Sequence, residues 1–176
     1  KMENIKFFDK KILVPFGEFL PFRNLLKFFE PISGTFDYSN GINNRTIDLN
    51  DKINFIPIIC YEIIFYWKLI DKYNFDNDLI INITNDVWFG DYLGPFQHFY
   101  LTKLRAAEFN KYLIRVSNNG ISAIFDNNAK VIVNSKLNVK SKINKQLALK
   151  RNINYYKTHY LLNYFFYLII FFVLIS

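Results

Sequence analysis

The sequence predicts an α/β fold with a mixed sheet, followed by an apolar C-terminal helix. Two buried-strand patterns, at 53–60 and 78–84, each precede a segment with helical spacing, and this alternation is typical of parallel strands. The later strand patterns follow one another directly, with NNG at 118–120 as a hairpin turn signal. The last stretch, 160–176, is apolar apart from Asn163.

Periodicity and turn residues give the elements in order along the chain. Strands are predicted near 1–13 and at 53–60, 78–84, 113–117, 121–126, 130–135 and 145–149. Helices are predicted at 24–30, 61–73 and 96–111. The segments 14–22, 31–52 and 85–95 are rich in Gly, Pro, Asn or Asp and are predicted as loops, the second with one possible hairpin.

Composition narrows the class of protein. The 176 residues suffice for one domain with a sizeable core. A net charge of +7 can indicate nucleic-acid binding, but the lysines are scattered along the chain, so we expect no nucleic-acid partner. Cys60 is the only cysteine, which excludes an internal disulfide and a multi-cysteine metal site. We expect no metal and no cofactor.

The apolar C-terminal stretch predicts a transmembrane helix, with a buried core helix as the alternative. A spanning helix needs about 20 mostly apolar residues. Tyr155, Tyr156 and Tyr160 suit a membrane interface, while Lys150 and Arg151 would by charge favour a cytoplasmic flank. Because the chain begins with lysine in what reads as mid-domain sequence, we expect it to be a piece of a longer protein.

Cys60 is the candidate nucleophile. It lies between a predicted buried strand and a predicted helix, where side chains reach the end of an α/β sheet and a helix N-terminus favours a thiolate. The alternative is packing, since free cysteine is usually buried and inert. Neither His98 nor His159 makes a convincing partner for the thiol, so carboxylates and a lysine are the remaining helpers.

Three stretches resemble one known family when they are taken together. They are KKILVPFGEFLP, ICYEIIF and INITNDVWFGDYLGPFQHFYLTKLRAAEFNKYLIRVSNNGISAIFD, and they cover about residues 7 to 134. Their motifs and order are similar to the periplasmic domain of bacterial apolipoprotein N-acyltransferases, a membrane-bound branch of the nitrilase superfamily. The resemblance implies a nitrilase-like αββα sandwich, present here in part.

The resemblance assigns roles to six residues of this sequence. They are Cys60 as the nucleophile, Lys10 as the stabiliser of oxyanion and thiolate, Glu18 and Glu62 as further catalytic glutamates, and Tyr61 and Trp88 as substrate-binding residues. The general-base glutamate of the family lies well upstream of the lysine, and no residue of this chain matches it. The isolated chain is therefore expected to be inactive.

The resemblance also implies an organisation and a reaction. Residues 1–150 would be the C-terminal part of the catalytic domain, 151–159 a linker and 160–176 the transmembrane helix. The enzyme would move an acyl chain from a phospholipid to Cys60 as a thioester, then to the N-terminal amine of a diacylated prolipoprotein. It would be a multi-pass protein of the bacterial inner membrane, with the catalytic domain in the periplasm.

Two other functions remain open from the sequence. A soluble nitrilase-type amidase would use the same cysteine and lysine, although the apolar tail argues against it. A non-catalytic, membrane-anchored remnant would retain Cys60 as packing, and the missing base glutamate favours that reading of the chain.

Overall fold

The computed structural model describes residues 7–42, 45–50, 53–65 and 77–149, together with residues 68, 165 and 168. The predicted linker at 151–159 lies outside the described residues, as does the predicted transmembrane helix at 160–176 apart from Phe165 and Leu168. Within the described ranges, no helix has the length and apolar character needed to cross a bilayer.

A six-stranded mixed sheet forms the centre of the described structure. Its strands are β1 (Ile47–Asn50), β2 (Ile53–Ile59), β3 (Leu79–Asn85), β4 (Tyr112–Asn118), β5 (Ala123–Phe125) and β6 (Val131–Asn134). They lie in the sheet in chain order, with β2, β3 and β4 parallel and the outer pairs antiparallel. The mixed α/β sheet expected from the sequence is confirmed.

The helical elements of the described residues are short, with one exception. Helix α1 (Glu30–Ser33) follows a 3₁₀ turn at Lys27–Phe29, and further 3₁₀ turns at Cys60–Ile64 and Asp86–Phe89 directly follow β2 and β3. Helix α2 (Leu93–Glu108) tolerates Pro95 because the proline lies in its first turn. The helix stops before Asn110, whose φ of 51° is left-handed.

The hydrophobic core lies between one face of the sheet and α2. The sheet contributes Ile56, Ile58, Ile80, Leu113 and Phe125, and α2 contributes Ala106 together with Phe109, the residue that caps its C-terminus. On the opposite face Ile83 of β3 pairs in register with Val116 of β4, and their side chains are 60% and 50% exposed. Parallel strands are usually apolar on both faces because both are covered, so this second apolar face is a surface suited to further packing.

Four predicted elements differ from the structure. The helix expected at 24–30 is a 3₁₀ turn at Lys27–Phe29 followed by α1 at Glu30–Ser33. Residues 7–13 form no strand, because the backbone N–H groups of Lys11 and Ile12 donate to the Glu62 carboxylate instead of to a neighbouring strand. The predicted helix at 61–73 is a 3₁₀ turn over Cys60–Ile64, and most of the remainder lies outside the described residues. Residues 145–149 are mostly exposed and extend without pairing into a strand.

Candidate active site

Cys60 occupies a strained position at the end of β2. It is the first residue of the 3₁₀ turn Cys60–Ile64, and its φ of 52° lies in the left-handed region that favours glycine. Such a conformation in a non-glycine residue is held by its surroundings and clusters at functional sites. A sharp strand-to-turn junction presents a side chain at the carboxyl end of a parallel sheet, which is how a nucleophile is mounted in other α/β enzymes.

Lys10 and Glu18 form an ion pair in the loop region before the sheet. The lysine Nζ lies 2.6 Å from both carboxylate oxygens, and the side chains are 13% and 29% exposed. The backbone N–H of Val14 also donates to Glu18 Oε2 at 2.8 Å, which fixes the carboxylate. Glu18 therefore orients the lysine ammonium.

A cavity of about 460 Å³ opens beside this ion pair. Lys10 and Glu18 line it together with Tyr38 and Gly41, whereas Cys60 is not among its lining residues. The backbone N–H of Gly41 donates to the Lys10 carbonyl at 2.7 Å, so the segment around Gly41 lies directly against the lysine. The cavity thus gives access to the cation from one side.

Glu62 is fully buried and joins the segment that follows Lys10 to the turn that contains Cys60. Its Oε1 accepts from the backbone N–H of Lys11 at 2.8 Å and of Ile12 at 3.0 Å, and its Oε2 accepts from Ile59 N–H at 2.8 Å. Arg45 completes the set with bonds of 3.1 and 3.0 Å to the two oxygens. Burial alone would raise the pKa of Glu62, but the Arg45 guanidinium and the backbone donors lower it overall.

These contacts indicate that Glu62 has a structural role, because its carboxylate is enclosed and cannot contact a substrate directly. Its carboxylate is 0% exposed and its oxygens receive five hydrogen bonds. Lys11 is the neighbour of Lys10, and Glu62 lies two residues after Cys60, so one side chain fastens the lysine and nucleophile segments together.

The two predicted substrate-binding residues lie in different surroundings. Tyr61 packs edge-on against Phe65, with ring centroids 5.2 Å apart, and is half-buried. Trp88 is 87% exposed in the turn that follows β3. Covering a side chain as large and apolar as that of Trp88 is energetically favourable. Trp88 is therefore suited to contact a ligand or partner at this edge of the sheet.

A buried charged network that the sequence analysis missed lies at the ends of β3 and β4. Asp86 Oδ1 lies 2.9 Å from His98 Nδ1, and Asp86 Oδ2 accepts from Arg115 at 2.5 Å and from the Ser117 hydroxyl at 2.9 Å. Burial raises the pKa of Asp86, but the His98 hydrogen bond and the Arg115 charge outweigh it and hold the pKa at about 2. His98 is therefore a partner of Asp86.

The network reaches the backbone around Cys60 through Asn82. Arg115 Nη1 donates to Asn82 Oδ1 at 2.8 Å, and Asn82 Nδ2 donates to the Ile58 carbonyl at 3.1 Å and lies 3.5 Å from the Cys60 carbonyl. Burial lowers the pKa of Arg115, while the negative charge of Asp86 and its hydrogen bond to the guanidinium oppose that shift. A buried cation is therefore held close to the nucleophile turn from the sheet side.

The scarcity of arginine in the sequence is a signal from which some of these residues could have been predicted. The chain has 17 lysines but only five arginines. The four arginines in the described ranges, Arg23, Arg45, Arg105 and Arg115, all pair with carboxylates. Because only a guanidinium bridges two oxygens in a plane, an arginine in a lysine-rich chain indicates a position where that geometry matters.

Comparison with known proteins identifies the class. The model of the carbon–nitrogen hydrolase family matches residues 12–151, and the chain belongs to that family. A CN-hydrolase superfamily protein from Xanthomonas campestris has a similar fold, with a TM-score of 0.52 and 16% identity over 74% of this chain and 48% of that one.

Within the family, the chain is similar to apolipoprotein N-acyltransferases. It is 42% identical to that of Rickettsia prowazekii over 77% of this chain, and 38% identical to that of Allorhizobium ampelinum over 86%. The relative from Haemophilus influenzae is 34% identical over 80% of this chain. The chain spans between 27% and 30% of the length of these relatives. The resemblance drawn from the motifs is confirmed.

Proposed function

We propose that the gene product carrying this chain is an apolipoprotein N-acyltransferase and that this chain supplies its nucleophile, Cys60. The observation that carries the proposal is the left-handed backbone of Cys60 at the end of β2, in a turn whose Glu62 also binds the lysine segment. The names of the relatives support acyl transfer to an amine over other chemistry of the family.

The reaction proceeds in two steps through Cys60. The thiolate attacks the ester carbonyl carbon of a phospholipid, and the tetrahedral intermediate collapses as the carbon–oxygen bond breaks. The departing oxygen takes a proton and leaves as a lysophospholipid, while Cys60 keeps the acyl chain as a thioester. The α-amine of a diacylglyceryl-cysteine lipoprotein then attacks the thioester carbonyl, loses a proton and releases the thiolate.

Lys10 stabilises the negative charge that develops in both steps. An ammonium aimed at a developing oxyanion in a site that excludes water lowers the barrier because the charge is strongest in the transition state. Glu18 acts through Lys10, since it holds the lysine Nζ with both oxygens at 2.6 Å. Tyr61 and Trp88 contact the acyl donor or the lipoprotein in this proposal.

The general base and the second sheet come from outside the described residues. No residue of this chain matches the base glutamate of the family, so the isolated chain is inactive. The apolar face that carries Ile83 and Val116 receives the second sheet, which completes the αββα sandwich. Residues 1–150 are then part of the catalytic domain.

Membrane attachment completes the proposal. A phospholipid donor requires a catalytic domain held at a lipid surface. The apolar stretch 160–176 spans the inner membrane after a linker at 151–159, and the catalytic domain faces the periplasm.

Intact-mass spectrometry tests the proposal. The gene product is purified from membranes and given a phospholipid of defined acyl chain, beside a Cys60→Ala variant that circular dichroism shows to be folded. An acyl-sized mass gain that hydroxylamine removes, and that the variant lacks, is expected. A folded, membrane-inserted wild type without the gain contradicts acyl transfer, and turnover of small amides by the same sample would assign an amidase instead.

A further inference from the structure

Arg45 lies between the two segments that carry the proposed nucleophile and its lysine. It precedes β1 in a part of the chain predicted as loop, yet only 4% of the residue is exposed. A buried guanidinium requires partners for its charge and its donors. The contacts of the Arg45 guanidinium therefore indicate its role.

On the nucleophile side, Arg45 contacts the chain before and after Cys60. Its Nη1 donates to the carbonyl of Pro57 in β2 at 3.2 Å and to Glu62 Oε2 at 3.1 Å. Its Nη2 donates to Glu62 Oε1 at 3.0 Å. Three donor contacts therefore hold the end of β2 and the following 3₁₀ turn in one relative position.

On the lysine side, Arg45 contacts the chain before Lys10 directly and is linked to the chain after it through Glu62. The guanidinium carbon lies 5.1 Å from the centroid of the Phe8 ring, a cation–π distance. The Glu62 oxygen that Arg45 Nη2 binds also accepts from Lys11 N–H at 2.8 Å. The arginine therefore fixes the backbone on both sides of Lys10.

We propose that Arg45 is a positioning residue for the acyl-transfer reaction: acting through Glu62, it sets the position of Lys10 relative to Cys60. The inference rests on the roles proposed above for Lys10 and Cys60. The two segments lie 50 residues apart in sequence, and the described hydrogen bonds between them are those that the Glu62 carboxylate accepts. Glu62 receives its only side-chain donors among the described residues from Arg45.

Lysine at position 45 cannot replace the arginine in this role. An ammonium is a point charge, so it cannot bridge both Glu62 oxygens, donate to Pro57 and lie flat on a phenyl ring at once. Arg45→Lys keeps the positive charge in place while it removes the fixed geometry. This substitution therefore separates positioning from charge.

A double-mutant cycle provides the test. The gene product, in detergent, carries Arg45→Lys, Lys10→Met or both, and the rate of Cys60 alkylation by iodoacetamide is followed across pH by the mass of the peptide that contains Cys60. Thioester formation from a defined phospholipid is measured in parallel. Two residues that act as a unit have non-additive effects, whereas independent residues have effects that multiply.

If Arg45 acts through Lys10, Arg45→Lys slows thioester formation by about tenfold or more when Lys10 is present, and by less than twofold in the Lys10→Met background. The alkylation profile of Arg45→Lys moves to higher pH, toward that of Lys10→Met. Equal rate factors in the two backgrounds, with an unmoved profile, overturn the inference and make Arg45 a stability residue alone.

Arg105→Lys is the matched control. Arg105 is also a buried arginine, with 5% of the residue exposed, and it pairs with a carboxylate, that of Glu108 of α2, whose side chain is 37% exposed. The melting temperature of the Arg105→Lys variant is expected to fall, and the effect of this substitution on thioester formation is expected to be the same with Lys10 or Met at position 10. If Arg45→Lys does not fold, Arg45→Gln, which still donates to Glu62, takes its place in the cycle. Coupling in alkylation without any thioester in the wild type would contradict the proposed function and leave the positioning role intact.

Discussion

Acid should weaken the fold through Asp86, and the size of the effect follows from its pKa. The pKa of about 2 in the folded protein lies below the ordinary value of 3.8. A carboxylate with a lowered pKa contributes stability that is present above its unfolded pKa and is lost as pH falls toward its folded pKa. The difference of about 1.8 units corresponds to about 2.4 kcal/mol. By pH 3, about 1 kcal/mol of this should be lost.

Urea unfolding at pH 6 and pH 3 measures this contribution on the detergent-solubilised protein. Asp86→Asn cannot titrate, and it leaves Arg115 buried without its counter-ion, which should cost about 3–5 kcal/mol at pH 6. The difference in free energy of unfolding between wild type and variant should narrow by about 1 kcal/mol at pH 3. Asp91→Asn, at an exposed aspartate outside the network, is the control. A difference that is the same at both pH values refutes the ionised Asp86–Arg115 pair.

Two further substitutions test the cavity and the apolar face. Gly41→Ala places a Cβ 2.4 Å from the carbonyl oxygen of Asp9, so the segment must move and thioester formation should slow by roughly 10- to 100-fold. Gly17→Ala, whose Cβ approaches its nearest neighbour at 3.4 Å, should change the rate less than twofold, and equal rates for the two variants would contradict the effect. If the second sheet covers Ile83 as proposed, Ile83→Glu should lower the melting temperature of the full gene product far more than Val139→Glu at a similarly exposed site. A small and similar decrease in melting temperature for both variants would indicate that this face is exposed to solvent in the full gene product.

Hydrophobic periodicity was sufficient to predict the elements that are stabilised mainly by burying apolar side chains. Strands β2, β3 and β4 and helix α2 were predicted within about two or three residues, because a continuous apolar run and a one-sided apolar stripe are local signals. The segment 7–13 was predicted as a strand for the same reason. Its backbone donors instead bind Glu62, 50 or 51 residues away, and no local pattern reports such a partner.

The site divides in a similar way. Cys60 could be proposed from its place between a predicted strand and a predicted helix, and the resemblance of motifs assigned roles to Lys10, Glu18 and Glu62. Arg45 and Arg115 were missed because a charged residue in a polar segment is ordinarily solvated. Only the structure shows that each guanidinium is enclosed with a carboxylate, at 3% and 0% side-chain exposure respectively.

The spacing of the site contacts along the chain sets an order of assembly. Lys10 and Glu18 are eight residues apart, so their loop closes at small entropic cost and early. The Glu62 contacts to Lys11 and Ile12 span about fifty residues, so closing that loop costs more entropy and we expect them to form later. If Lys10 acts on Cys60 as proposed, the two residues are brought together only when these long-range contacts have formed. In the proposed mechanism, reactivity of the thiol toward acyl esters then appears late in folding.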